Sequence, residues 1–194
     1  MNLLEVDVLF FAEDPGAANY IVHLLKACID KDISSQAVCA GKATDLFNQQ
    51  NIDFLPSNKF SSASQIFDTV KPKLVVIGTS ENSESMGLFV VEEAKRRKTP
   101  SIGTVDASMN AAYRFRGDTS NPFTYITEWL VVPDEWTKLE YIKLGYLRER
   151  VVVCGHPQYD YVYEQTERLS RQGKKKLRHM YFPSAPKEKK VAIF

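Results

Sequence analysis

The chain has 194 residues, 44% of them hydrophobic and 25% charged, the make-up of one globular domain with a tail. Its 25 basic and 24 acidic residues leave a net charge of +1, so bulk electrostatics gives no ground for nucleic-acid binding, and a membrane contact would need a local basic patch. No apolar stretch is long enough to span a bilayer.

In chain order, a short apolar run is followed again and again by an amphipathic stretch. Val6 to Ala12 reads as a strand buried on both faces, as in a parallel sheet covered by helices. Glu13-Asp14-Pro15-Gly16 follows, then a helical pattern from Ala17 to about Lys31. Gln36 to Ala40 is a second strand, Ala43 to Gln50 a short helix, and Ile52 to Leu55 a third strand. Ser61 or Ser62 caps a helix that runs to about Val70, where Pro72 stops it. Leu74 to Gly78 is a fourth strand, and Glu84 to Lys98 a helix with Ser83 as its cap and a basic end. Ser101 to Val105 is a fifth strand. A long irregular connection occupies Ala107 to Thr127, a length that inside a compact α/β domain often carries function. Trp129 to Val132 is a sixth strand, Asp134 caps a helix ending at Gly145, and Val151 to Cys154 is a seventh strand. A polar helix starts near Asp160, Gly173 to His179 is basic, and Pro183 to Lys190 has the composition of a linker.

This alternation predicts an α/β fold: a three-layer α/β/α Rossmann-like domain with a mostly parallel sheet of about seven strands and right-handed crossovers. The expected domain covers 1–182. Residues 183–194 are expected to be a linker and, at Val191 to Phe194, the first strand of a further C-terminal domain. Cys28, Cys39 and Cys154 lie in apolar runs without CxxC or Cys/His spacing, so buried thiols in a reducing compartment are expected and no metal site. The first residues lack a basic start followed by an apolar core, so a signal peptide is not expected and the setting is read as cytoplasmic.

Ligands on parallel sheets bind beyond the carboxyl ends of the strands, and four post-strand segments carry polar chemistry. After the first strand, Gly16 lets a ligand approach the backbone and Asn19 lies one turn on; no GxGxxG is present, and Asp14 with Pro15 also reads as a plain helix start. After the fourth strand, Ser80, Glu81 and Glu84 suit sugar hydroxyls, or a capped helix. After the fifth, Asp106 is placed to act as a general base. If the next segment is helical, Asn110 and Arg114 share a face, and Arg114 or Arg116 can grip a phosphate or carboxylate; Asp106 and an arginine can equally pair to order the loop. After the seventh, His156 can donate to a phosphate or act as an acid, or simply sit in the turn. Lys174-Lys175-Lys176 with Arg168, Arg171 and Arg178 forms a basic cluster that suits an acidic membrane surface or a solvated helix end.

Val131-Val132-Pro133-Asp134-Glu135-Trp136, Leu144-Gly145, and Val151-Val152-Val153-Cys154-Gly155-His156-Pro157 with Asp160 resemble the end of the first domain of GT-B enzymes. UDP-N-acetylglucosamine 2-epimerases and CDP-glycerol glycerophosphotransferases carry a similar V-G-x-P-x-x-D pattern there. Pro100 to Asp106, with Asn110 and Arg114-Phe115, looks like a loop of related polysaccharide-biosynthesis proteins. The resemblance implies the acceptor-binding domain of a glycosyltransferase or glycerophosphotransferase of envelope polysaccharide synthesis. Its acceptor would be a carbohydrate or polyol phosphate, and its own C-terminal domain its partner. No cofactor is expected in this domain, because the nucleotide-sugar donor would bind mainly the second domain. The roles implied are Asp106 and His156 in catalysis, with Gly16, Asn19, Ser80, Glu81, Glu84, Asn110, Arg114 and Arg116 around the substrate. A nucleotide-sugar 2-epimerase or hydrolase on the same fold, and a non-catalytic α/β binding module, are the alternatives. Glu13-Asp14 replaces the small residues of some GT-B first loops, which argues against donor-phosphate contact there.

Overall fold

The computed structural model describes residues 4–184 and 186. The chain divides into two compact units, Met1–Pro157 and Gln158–Phe194. Within the first, among the described residues, seven strands form one parallel sheet in the order β3-β2-β1-β4-β5-β6-β7. The strands are β1 (Leu4–Ala12), β2 (Ser35–Cys39), β3 (Leu55–Pro56), β4 (Val70–Gly78), β5 (Ser101–Thr104), β6 (Trp129–Val132) and β7 (Val151–Val153). The helices of this unit are α1 (Pro15–Asp30), α2 (Ala43–Gln49), α3 (Ala63–Thr69), α4 (Met86–Arg97) and α5 (Glu135–Lys143).

Strand alternation builds the layers. On β1, Val8, Phe10 and Ala12 face α1 and α2, where Ala18, Ile21, Val22 and Phe47 complete one core. Leu9 and Phe11 face α3 and α4 and pack with Ile66, Phe67, Val90 and Val91. Because β1 and β4 are apolar on both faces, they take the centre of the sheet; burying a side chain such as Phe47 or Ile21 stabilises the fold by about 2–3 kcal/mol. A third cluster under β5 to β7 gathers Phe115, Leu130, Val132, Tyr141 and Val151.

Local chemistry sets most boundaries. Asp134 Oδ1 accepts from Thr137 N at 2.7 Å and caps α5. Ser62 Oγ accepts from Gln65 N at 3.3 Å and caps α3. Asp14 and Pro15 hold the expected cap and first-turn positions of α1, without a side-chain cap bond. Pro72 does not separate a helix from a strand: it lies inside β4, opposite Val6 of β1. The strand tolerates it because β5 pairs with β4 only from Val75 onward, so one side of Pro72 has no neighbouring strand. The third strand shrinks to Leu55–Pro56, at the sheet's edge. Helix α4 starts two residues later than expected, capped by Ser85 and not Ser83.

Cys39 is buried, which pushes its thiol up to about 12. Cys154 is exposed, contrary to expectation, since it follows β7, the strand at the edge of the sheet. In the second unit, α6 (Pro157–Gln172) begins at Pro157, a favourable first helical position, and not at Asp160. The basic segment after Gly173 forms α7 (Lys174–Tyr181). The expected strand at Val191 to Phe194 lies outside the described residues.

Candidate functional site

Strand order reverses between β1 and β4: the chain moves outward to β2 and β3, then returns to the other side of β1. The crevice beyond the carboxyl ends of these two strands is where such sheets bind ligands. Its walls come together because Gly78, the last residue of β4, has no side chain. A Cβ there would lie 2.4 Å from the Ala17 Cβ, so only glycine lets α1 approach this closely.

Asp106, two residues beyond β5, reaches across this crevice. Its Oδ1 accepts from Arg114 Nη1 at 2.9 Å. Its Oδ2 lies over the first turn of α1, where a methyl group on Gly16 would come within 2.0 Å of it. That oxygen carries no hydrogen bond among the described residues, and the side chain remains 27% exposed. Asp106 is therefore held by one oxygen and leaves the other open beside a helix N-terminus, whose dipole favours the carboxylate.

Arg114 is buried and shapes the loop through Nη1 and Nε. Nη1 donates to Thr79 Oγ1 at 2.9 Å as well as to Asp106, and Nε donates to the Met109 carbonyl at 3.1 Å. Thr79 in turn donates to the Thr104 carbonyl at 3.2 Å, which ties the ends of β4 and β5 together. The segment after Asp106 is a series of turns, with Asn110 at a φ of +58°. Consequently Asn110 and Arg114 do not share a helical face: Asn110 swings outward and donates to Glu81 at 2.9 and 3.0 Å. Arg116 stacks over the Tyr113 ring at 4.1 Å, apart from Asp106.

A second polar group borders the same rim. Glu13 accepts from Asn82 Nδ2 at 2.7 Å and from the buried Ser85 hydroxyl. Nothing in the spacing of Glu13, Asn82 and Ser85 signals this bridge between two loops. Ser80 is buried and accepts from the Asn82 N–H at 3.1 Å; Asn19 is half-buried on α1, and the exposed Glu84 joins this network through its backbone N–H, which donates to Asn82 Oδ1 at 3.1 Å.

His156, three residues past β7, is buried against Tyr20 of α1, ring to ring at 4.7 Å, while Tyr20 donates to the Gly155 carbonyl at 3.2 Å. Burial lowers the His156 pKa and the nearby Asp106 carboxylate opposes that shift, which places the two groups within electrostatic reach. Tyr141 of α5 was not anticipated either, since in sequence it is an ordinary core position. It is fully buried, its hydroxyl has no hydrogen-bond partner among the described residues, and both Arg114 and Asp106 bear on its ionisation. Burial raises its pKa. Asp106, Arg114 and Gly16 thus meet in one place, with His156 against Tyr20 on the same helix α1 as Gly16 and the Asn110–Glu81 pair on the loops beside them. Among the described residues, no group of three or more His, Cys, Asp or Glu side chains is placed to hold a metal.

No protein-family model matches the chain, and no curated protein does. Solved structures do. The UDP-GlcNAc 2-epimerase of Neisseria meningitidis, bound to UDP-GlcNAc, superposes with a TM-score of 0.64 at 16% identity, covering 93% of this chain and 54% of that one. The S. aureus MnaA–UDP structure gives a TM-score of 0.59 at 14% identity, over 78% of this chain and 45% of that one. The UDP-GlcNAc 2-epimerase of Methanocaldococcus jannaschii gives 0.59 at 14%, over 77% and 45%. The chain spans about half the length of the structures it matches. What it shares with these structures is the fold, a Rossmann-like α/β architecture on a parallel sheet.

Proposed function

We propose that this chain is the acceptor-side portion of a GT-B-type transferase that moves a sugar or polyol phosphate from a nucleotide donor. The observation that carries the reading is Asp106: one oxygen fixed by Arg114, the other open at the switch point of the sheet. In that position it takes the proton of an acceptor hydroxyl as the oxygen attacks the donor, and the nucleotide leaves with the bonding pair. His156, whose burial favours the neutral imidazole, is suited to accept or donate a hydrogen bond to the same acceptor.

The charge of the rim supports a hydroxyl-rich ligand here. The loops after β1 and β4 hold Glu13, Asp14, Glu81 and Glu84 and no cation, and the guanidinium of Arg114 is already matched by Asp106. Carboxylates and amides bind sugar hydroxyls well, and the carboxylates repel a diphosphate. The donor's phosphates therefore belong on another surface, in keeping with a cleft that has a second wall. Setting and partners follow from the same reading: a cytoplasmic enzyme whose other half grips the nucleotide.

The decisive assay compares the full-length gene product with Asp106→Asn on UDP-, CDP- and GDP-sugars, with and without polyol or glycan acceptors. Acceptor-dependent turnover that drops by about 100-fold or more in the variant supports the assignment; unchanged turnover removes Asp106 from the mechanism. A nucleotide-sugar 2-epimerase is the second reading, favoured by the matched structures being UDP-GlcNAc 2-epimerases. It requires conversion of the sugar nucleotide, or UDP release, with no acceptor added.

A further inference from the structure

The two compact units carry opposite charge. Residues 1–157 contain sixteen Lys and Arg against twenty Asp and Glu, a net −4; residues 158–194 contain nine against four, a net +5. A near-neutral chain therefore hides a strongly basic end. Much of that excess lies on α7, which reads Lys-Lys-Lys-Leu-Arg-His-Met-Tyr.

The helix also has an apolar row. Leu177, Met180 and Tyr181 are spaced three and four apart and share a face, whereas Lys175, Arg178 and His179 project from the other side. Met180 and Tyr181 are 54% and 61% exposed. On α6 the same spacing aligns Tyr159, Val162 and Tyr163, exposed to 67%, 49% and 69%. No helix among the described residues is long and apolar enough to cross a membrane. Basic residues beside an exposed row of tyrosine, methionine and valine are the pattern of helices that lie in the plane of a bilayer surface.

We infer that α6 and α7 dock on an anionic lipid bilayer. Lysine and arginine meet the acidic headgroups, and the Met180–Tyr181 and Tyr159–Tyr163 rows enter the boundary between headgroups and acyl chains. A nucleic acid would satisfy the charge but leave the apolar rows in water, so the rows decide for lipid. This inference is independent of the sugar chemistry, and its test does not use activity.

The test is flotation of the full chain with vesicles of phosphatidylcholine containing one-third phosphatidylglycerol, against pure phosphatidylcholine, in low and high salt. The expected result is partition onto the anionic vesicles alone, weakened by salt. Lys175→Glu with Lys176→Glu should lower that partition on the order of 100-fold, and Met180→Ser with Tyr181→Ser about tenfold. Circular dichroism checks that each variant keeps its helices. Absence of wild-type partition onto anionic vesicles, or equal partition onto neutral ones, overturns the inference. So does unchanged partition of the Met180/Tyr181 variant combined with equally tight binding to a DNA duplex, which would mark a general polyanion site.

Discussion

Arg97 and Arg114 each hold a carboxylate at hydrogen-bonding distance, but their surroundings differ in kind. Arg97 ends α4, at the edge of the sheet away from the strand carboxyl termini. It donates to Glu93 at 2.6 Å, to Asp68 at 2.7 Å and to both Ser64 oxygens, and it lies over the Phe67 ring. Arg96 adds two bonds to Glu93, so both oxygens of that carboxylate are engaged. Around Arg114, in contrast, Asp106 keeps one oxygen without a hydrogen bond, lying over Gly16, and the Tyr141 hydroxyl has no partner among the described residues. The Arg97 cluster ties α3 to α4, and both oxygens of its Glu93 carboxylate accept hydrogen bonds. The Arg114 cluster has polar atoms in reserve at the switch point. Buried ion pairs alone do not mark a site; unmet hydrogen-bonding capacity in the right crevice does.

The sharpest way to break this contrast is to remove the two anchors in turn. Arg114→Met strands Asp106 and frees Thr79, and should cost about 3–5 kcal/mol in urea unfolding. A cost below that of Glu93→Gln would mean that the Arg114 pair is the more dispensable of the two. Glu93→Gln should cost about 1.5–3 kcal/mol near neutral pH, through weakened charged hydrogen bonds. Its pH dependence has a defined sign. Arg96, more than Arg97, draws the Glu93 carboxyl down to about 2 from an ordinary 4.5. The native state therefore binds fewer protons than the unfolded chain between those values. The stabilisation is fully present above pH 4.5 and is lost as the pH falls towards 2. Chemical denaturation across that window should show a shallower acid limb for the variant, and parallel limbs would contradict the assignment.

Gly16→Ala tests the other cluster's geometry. The new methyl must displace Asp106 Oδ2, for a cost of about 1–3 kcal/mol. The double variant with Asp106→Ala should recover part of that loss, and purely additive effects would argue against the contact. The smallest effect is expected for Tyr141→Phe. With no partner for the hydroxyl, its removal should leave stability unchanged or raise it by about 1 kcal/mol. A clear loss of stability would show that a bound water or ligand engages the phenol.

The fold was open to reading from sequence wherever burial writes itself into composition. Strands β1 and β4 are apolar on both faces, and Asp134 and Ser62 announce their helices through caps. Pro72 misled because its consequence depends on where β5 begins to pair, which is a property of a partner 29 residues away at Ser101. The site divided along the same line. Asp106 and His156 stood out by position after strands, and Gly16 by its missing side chain. The bridge from Glu13 to Asn82 and Ser85 did not, because its bonds join loops 69 and 72 residues apart.

By itself the sequence determined the alternation of strands and helices, and hence the edge of the sheet on which the loops would gather, because periodicity and capping are local. Only the tertiary structure decided which loop residues touch. It turned Asn110 towards Glu81, directed Arg114 to Asp106 and Thr79, and left the Tyr141 hydroxyl without a partner. Those outcomes depend on distances between segments far apart in the chain, which sheet order and helix packing set and no local pattern encodes.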